Sequence, residues 1–132
     1  MKKNKKILVD MSCSILHFGH IRLLKKASKF GKVVVALAKD SEIKKYKKFT
    51  SPFNFKQRKE ILNSIKYVSK VIKANYFITE EFLIKNKIDY LVHGSDNKNF
   101  VPKKYLKIFN RTKNISSSKL RKKIQKNIDL IF

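Results

Sequence analysis

The chain contains no tryptophan, one cysteine, two prolines and three glycines among its 132 residues. The single cysteine, Cys13, excludes a disulfide within the chain and suits a reducing cytoplasm. No apolar run approaches the roughly 20 residues needed to span a bilayer, so we expect no membrane partner. Lysines precede an apolar run at the N-terminus, as in a signal peptide, but Asp10 interrupts that run and no small-residue cleavage site follows. We therefore expect a cytoplasmic protein that keeps this segment in its mature fold.

Acidic residues are scarce, because nine Asp and Glu stand against 33 Lys and Arg, which leaves a formal net charge of +24. This balance favours anionic ligands over cationic ones. A nucleic-acid-binding domain is one interpretation, since Lys and Arg neutralise phosphates. However, the lysines are spread along the whole length rather than gathered in a tail, which favours a solvated basic surface. We expect no specific nucleic-acid partner, and keep the basic binding domain as an alternative.

Short apolar runs alternate with helical patterns along the chain. Unbroken apolar runs predict strands at residues 7–9, 33–37, 71–72, 90–92 and 106–109. Helices are predicted at residues 20–30, after a capping pair of Asn54 and Gln57, after Thr79, and after the serines at 116–118. The lysine-rich stretch 39–52 is predicted to be a loop. The pattern predicts one α/β domain over residues 1–132, a Rossmann-like, doubly wound parallel sheet of about five strands.

The segment ILHFGH, residues 15–20, carries two of the three histidines and one of the three glycines. It lies between a predicted strand and a predicted helix, where ligands of open α/β sheets bind. Free N–H groups at a helix start favour an anion, Gly19 allows a phosphate to approach the backbone, and His17 and His20 can donate to phosphoryl oxygens. Two other interpretations are a helix start with incidental histidines, and a metal pair that lacks further ligands.

Three further clusters follow predicted strands. In the segment RTKNISSS, residues 111–118, an arginine and three serines at a helix start suit a polyphosphate, although serine is also a common helix cap. The segment HGSD, residues 93–96, places a glycine and a carboxylate where a ribose or base could bind. The segment KKYKK, residues 44–48, is a candidate phosphate contact or plain basic surface.

The segments HFGH, QRKEIL, LVHGSD and RTKNISSSKL occur in this order over nearly the whole chain. In these segments the chain resembles the cytidylyltransferase-like nucleotidyltransferases. Within that family it is most similar to the glycerol-3-phosphate cytidylyltransferases and their relatives that act on other small phosphates or phosphonates. The resemblance implies transfer of CMP from CTP to a small anionic acceptor, Mg²⁺ bound through the nucleotide phosphates, and a homodimer.

The resemblance also implies catalytic roles. His17 and His20 are expected to stabilise the five-coordinate transition state at the α-phosphorus, and Lys47 and Lys48 to contact phosphates. No protein residue is expected to ligate a metal directly.

Other matching residues are implied to bind the two substrates. Ser14 and Arg58 are expected near the acceptor. The nucleotide is expected to contact Ser12, Gly19, Gly94, Asp96, Arg111, Thr112, Ile115, Ser116, Ser117 and Ser118.

The chain departs from the family pattern at three acids. Ser14 stands where the family has an aspartate, Ser95 replaces the first acid of its Gly-Asp-Asp-Trp segment, and Ser69 replaces a third acid. The site is therefore expected to be more electropositive than is usual in the family, which leaves the acceptor open. Two alternatives are an adenylyltransferase that uses ATP and a relative that binds nucleotide without catalysis.

Overall fold

The protein folds around a five-stranded sheet in which every strand pair is parallel. The computed structural model describes residues 5–94, 98–110 and 112–131. The strands are β1 (Lys6–Met11), β2 (Lys32–Ala38), β3 (Lys70–Ala74), β4 (Tyr90–Gly94) and β5 (Leu106–Phe109). The helices are α1 (Phe18–Ser28), α2 (Asp40–Lys47), α3 (Phe55–Asn63), α4 (Glu80–Lys85) and α5 (Ser117–Ile131), with one 3₁₀ turn at Lys103–Tyr105. The predicted α/β class and parallel sheet are confirmed.

Both faces of the sheet are covered, which explains why its central strands are continuously apolar. On one face Val9 and Val35 pack with Leu24 of α1 and Leu62 of α3. On the other face a second cluster includes Leu83 of α4. Each fully buried side chain of this size contributes about 1.5–3 kcal/mol relative to exposure, so the sheet core is the main source of stability.

Three of the four predicted helix starts are confirmed by their capping bonds, whereas α1 begins at Phe18, two residues before the predicted start at residue 20. Asn54 Oδ1 accepts from the Gln57 N–H at 2.9 Å, and Gln57 Oε1 accepts from the Asn54 N–H at 3.0 Å. Thr79 caps α4 through the Phe82 N–H. At the last helix Ser116 is the cap among the three candidate serines, because its Oγ accepts from the Lys119 N–H.

The stretch 39–52 is not wholly a loop, because it contains α2. Two acidic residues in the first turn, Asp40 and Glu42, and lysines in the last turn complement the helix dipole. Ile43 is the buried residue of this helix, so the stretch lacks the repeated apolar spacing that identifies a helix in a sequence. The loop prediction was wrong for this reason.

The order of the strands is β3-β2-β1-β4-β5. The chain moves outward from β1 through β2 to β3 and then returns to the other side of β1 with β4. This reversal opens a crevice beyond the carboxyl ends of β1 and β4, which is where ligands of such sheets bind. Within the described ranges, no helix is both long and apolar enough to cross a membrane.

Candidate active site

A cleft of about 330 Å³ opens at the carboxyl ends of the strands. It brings together the segments that follow β1, β4 and β5, which are far apart in the sequence. The predicted site residues that line it are Ser12, Ser14, His17, Gly19, His20, Lys47, Gly94, Thr112, Ile115, Ser116, Ser117 and Ser118. Lys48 does not line the cleft; it ends α2 in a left-handed conformation with φ 62°. Asp96 and Arg111 lie outside the residues that the structure describes.

The charge of the cleft is predominantly positive. Its described lining includes Arg22, Lys26, Lys47 and Lys98, whereas Asp10 is the one carboxylate among the described lining residues. Opposite charges at short range attract strongly when water is partly excluded, so the cleft favours an anionic ligand.

The two histidines after β1 cap α1 reciprocally. His17 is the N-cap, and its Nδ1 accepts from the Gly19 N–H at 3.0 Å. His20 Nδ1 accepts from the His17 N–H at 3.1 Å, so the pair forms a capping box. The two rings are partly stacked, with centroids 3.9 Å apart and planes inclined by 36°. The histidines therefore do serve as helix caps, and they line the cleft as well.

These caps also determine what each ring can donate. A neutral imidazole has one N–H and one bare nitrogen, and in each ring the bare nitrogen is Nδ1 because Nδ1 accepts. The proton of each neutral ring is consequently on Nε2. Both His17 and His20 thus carry an Nε2–H donor whose ring orientation is set by a backbone bond.

The start of α5 is hydrogen-bonded to the segment 15–20, which contains both histidines. Ser117 Oγ donates to the Ile15 carbonyl at 3.0 Å, across 102 residues of sequence. A Cβ added to Gly19 would lie 3.3 Å from Ile115 Cγ2, so the residue before the serines packs directly against the glycine. The N–H groups at the start of α5 and the histidine pair therefore lie at the same end of the cleft.

The His17 ring occupies the space that a Cβ at position 19 would fill, and Gly19 has no Cβ. A Cβ added at Gly19 would lie 2.8 Å from His17 Cε1 and 2.9 Å from Nδ1. We predict that Gly19→Ala displaces the His17 ring, which costs up to the about 0.5–2 kcal/mol of a lost N-cap, and lowers kcat by about 10–100-fold, because small misplacements of aligned groups are costly. Steady-state kinetics beside a melting curve measures both effects.

Gly31 provides the matched control. A Cβ added there would meet the backbone carbonyl of Lys5, which cannot move as a side chain can. Gly31→Ala should therefore lower the free energy of unfolding while leaving kcat close to the wild-type value. Equal kcat values for the two alanine variants would contradict the role given to Gly19.

Arg58 is enclosed by the protein, with no exposed side-chain area. Its Nη1 donates to the carbonyls of Ser12 at 2.7 Å and Ala38 at 2.9 Å, and its Nε donates to the carbonyl of Phe53. Its Nη2 donates to Asp40 at 2.6 Å. The expected contact of Arg58 with an acceptor does not agree with this placement, because four donor positions of the guanidinium are used within the fold.

Ser14 lines the cleft and is 2% exposed. Its Oγ accepts from Arg121 Nη1 at 3.0 Å, and Nη2 of the same arginine donates to Ser118 at 3.1 Å. Partial burial lowers the pKa of the Arg121 guanidinium from its ordinary value. No motif in the sequence identified this arginine, since its partner Ser14 is 107 residues away.

A second group that the sequence did not identify lies at the ends of β1 and β4. Asp10 Oδ1 lies 3.4 Å from His93 Nε2, and Asp10 Oδ2 accepts from Asn99 Nδ2 at 3.0 Å. Asn99 in turn accepts from the Ile78 N–H at 2.7 Å. Asp10 interrupts the apolar run of β1 and was the available signal for this group, while nothing local marks Asn99.

Cys13 is buried beside this site and has φ 50°. Burial raises the pKa of its thiol from 9.0 to about 12, and the charge of Arg58 opposes this only in part. The neutral thiol thus supports the fold fully below about pH 9, and this contribution falls as pH rises from 9 towards 12. The thiolate, which is the nucleophile, is scarce near neutral pH.

We predict that Cys13 in the native protein reacts with iodoacetamide at least about 10³-fold more slowly than in the unfolded chain, because its thiolate fraction and its access are both reduced. The reaction is run at pH 8 with and without urea, samples are quenched at intervals, and mass spectrometry measures the two rates. Native modification within tenfold of the unfolded rate would contradict the burial of this thiol.

Comparison with known proteins identifies a family. A family model described as cytidylyltransferase-like matches residues 12–123. The glycerol-3-phosphate cytidylyltransferase of Staphylococcus aureus is 30% identical over 128 residues, which cover 91% of this chain and 95% of that protein. The protein of the same name from Bacillus subtilis is 32% identical over 93 residues, which cover 70% of this chain and 72% of that protein.

A solved structure shares the fold. The lipopolysaccharide core biosynthesis protein from Thermoplasma volcanium superposes with a TM-score of 0.63 at 24% identity, covering 92% of this chain and 87% of that one. At this identity the likeness concerns the architecture alone.

Proposed function

This chain belongs to the cytidylyltransferase-like family and is a nucleotidyltransferase, and from this premise we propose that it transfers CMP from CTP to a small phosphorylated or phosphonylated acceptor. The two relatives named glycerol-3-phosphate cytidylyltransferase support this donor and this acceptor class. Glycerol 3-phosphate is the first acceptor to test. The homodimer inferred from the resemblance remains a prediction.

One observation carries the proposal: two imidazole donors and a serine-capped helix start share one end of a basic cleft. The reciprocal caps direct the Nε2–H groups of His17 and His20. The Ser117–Ile15 bond holds the start of α5 beside them. A triphosphate matches this arrangement, with its α-phosphate at the imidazoles and its β- and γ-phosphates at the helix start.

The reaction needs alignment and charge stabilisation rather than a covalent intermediate. An oxygen of the acceptor phosphate forms a bond to the α-phosphorus of CTP, while the bond from that phosphorus to the β-bridging oxygen breaks. The leaving group is pyrophosphate, which keeps the electron pair of the broken bond. As the phosphorus becomes five-coordinate its equatorial oxygens gain charge, and donors placed for that geometry stabilise the transition state most.

We propose that Mg²⁺ would be held through the phosphates of the nucleotide rather than by protein side chains. Such an ion neutralises phosphate charge and keeps most of its ligands as phosphate oxygens and water. The cleft fits an ion that is bound mainly by the nucleotide. Among its described lining residues Asp10 is the one carboxylate, and Asp10 already accepts a hydrogen bond from Asn99. Lys47 and the serines of α5 would then hold the phosphates rather than the metal.

The donor is tested by the release of pyrophosphate from purified protein with Mg²⁺ and either CTP or ATP. The acceptor panel contains glycerol 3-phosphate, an amino-alcohol phosphate and a small phosphonate. We expect release with CTP that depends on an acceptor. A thermal shift supports the assignment, since a ligand at about 100 times its Kd adds about 2.7 kcal/mol of stability. Turnover and a thermal shift with ATP but not with CTP would contradict the assignment of CTP and identify ATP as the donor.

A further inference from the structure

Arg121 contacts three segments that lie at or beside the cleft. One Nη atom donates to Ser14, in the segment that leads to the histidines, and the other donates to Ser118 in the first turn of α5. The guanidinium carbon lies 3.7 Å from the centre of the Phe49 ring, two residues after Lys47. We propose that Arg121 is a positioning residue that orients the two serine hydroxyls for an anionic substrate, an inference that rests on the proposed function.

The direction of the hydrogen bonds supports this role. A guanidinium only donates, so the oxygens of Ser14 and Ser118 are both acceptors towards Arg121. The proton of each hydroxyl must then point away from the arginine. Because both serines line the cleft, each hydroxyl can donate to a phosphate oxygen, and its polarisation by the guanidinium strengthens that donation.

The charge of Arg121 also remains available to a ligand. Among the described residues no carboxylate forms an ion pair with it, whereas the fully buried Arg58 is paired with Asp40. The uncompensated charge should favour ligands with several negative charges.

The contact of Arg121 with Phe49 connects the serines to the segment that contains Lys47. Stacking of a guanidinium on an aromatic face contributes about 0.5–2 kcal/mol, more when water is excluded. Phe49 is half-buried and follows α2, whose last residue Lys47 lines the cleft. Arg121 therefore links Lys47 to the serines of α5.

The test compares Arg121→Met with Lys122→Met. Methionine keeps an unbranched stem over Phe49 but has no donor and no charge. Lys122 is exposed on the same helix, so its variant removes the same charge without the two serine bonds. The Kd for CTP by calorimetry, kcat and KM by pyrophosphate release, and Tm are measured for both variants and for Arg121→Lys.

We expect Arg121→Met to raise the Kd and KM for CTP about tenfold or more with kcat changed less, because phosphate contacts are made before the transition state as well as in it. The Kd and KM of Lys122→Met should stay within about twofold of the wild-type values. Arg121→Lys should recover only part of the lost affinity, since one ammonium cannot reproduce the two separate hydrogen bonds that the planar guanidinium donates to the serines. Adding Ser14→Ala to Arg121→Met should cost little more than Arg121→Met alone.

Two results would overturn the inference. Equal changes in Kd for Arg121→Met and Lys122→Met would mean that net charge alone matters. A lower Tm with an unchanged Kd would mean that Arg121 only links parts of the fold.

If wild type neither binds CTP nor releases pyrophosphate from it, the proposed function fails, and the binding of tripolyphosphate by the same variants is compared instead. Loss of tripolyphosphate binding in Arg121→Met alone would support the inference, and its retention would overturn it.

Discussion

His20→Ala should lower kcat by about 10²–10³-fold while CTP still binds, and His17→Ala should do the same. Each ring presents an Nε2–H whose direction is set by its capping bond. Donors placed for the five-coordinate phosphorus bind the transition state better than ground-state CTP, so their loss falls on kcat. Steady-state kinetics and calorimetric CTP binding for both variants measure the two effects separately.

The caps themselves need a separate control, because loss of an N-cap costs about 0.5–2 kcal/mol of stability. His17→Ser restores a favoured capping residue, and His20→Gln restores the usual third residue of a capping box. These variants should recover melting temperature and remain slow. If kcat recovers together with the melting temperature, the histidines act as caps and the catalytic role is wrong.

Arg58→Met should lower the free energy of unfolding by about 3–5 kcal/mol, a large part of the 5–15 kcal/mol typical of a domain. The substitution removes the donors to the carbonyls of Ser12, Ala38 and Phe53, two of which lie at the carboxyl ends of β1 and β2. Urea unfolding monitored by circular dichroism measures this change.

Arg58→Lys is the informative partner variant. Lysine keeps the charge beside Asp40 but cannot reproduce a planar group with four bonds to four different residues, so we expect most of the stability loss to remain. Arg58→Met with wild-type stability but a raised KM for the acceptor would instead support the acceptor contact that the sequence suggested.

The sequence predicted the strands, the caps and the cleft-facing segments because each of these has a local cause. The apolar run of β2, with three consecutive valines, is typical of a strand buried on both faces. The Asn54–Gln57 pair sits three residues apart, as a capping box requires. Parallel strands end at one edge of a sheet, so segments that follow them, such as that of His17 and His20, meet there.

The direction in which long side chains point could not be predicted, because distant partners decide it. Arg58 matches a family segment, yet it lies four residues before the buried Leu62 on α3 and points into the protein. That i, i+4 spacing was a signal that the arginine lies on the buried face. The contacts of Arg121 with Ser14 and of Asp10 with Asn99 join residues 107 and 89 positions apart, and nothing local encodes them.

The fate of the α-phosphorus of CTP tests the central claim most directly. Purified protein, Mg²⁺ and glycerol 3-phosphate are incubated with CTP labelled at the α-phosphorus, and in parallel with CTP labelled at the γ-phosphorus. The account predicts that the α-label appears in a diphosphate-linked product of CMP and the acceptor, while the γ-label appears in pyrophosphate in equal amount. Release of the α-label as free CMP whatever acceptor is present, or of the γ-label as inorganic phosphate, would contradict it.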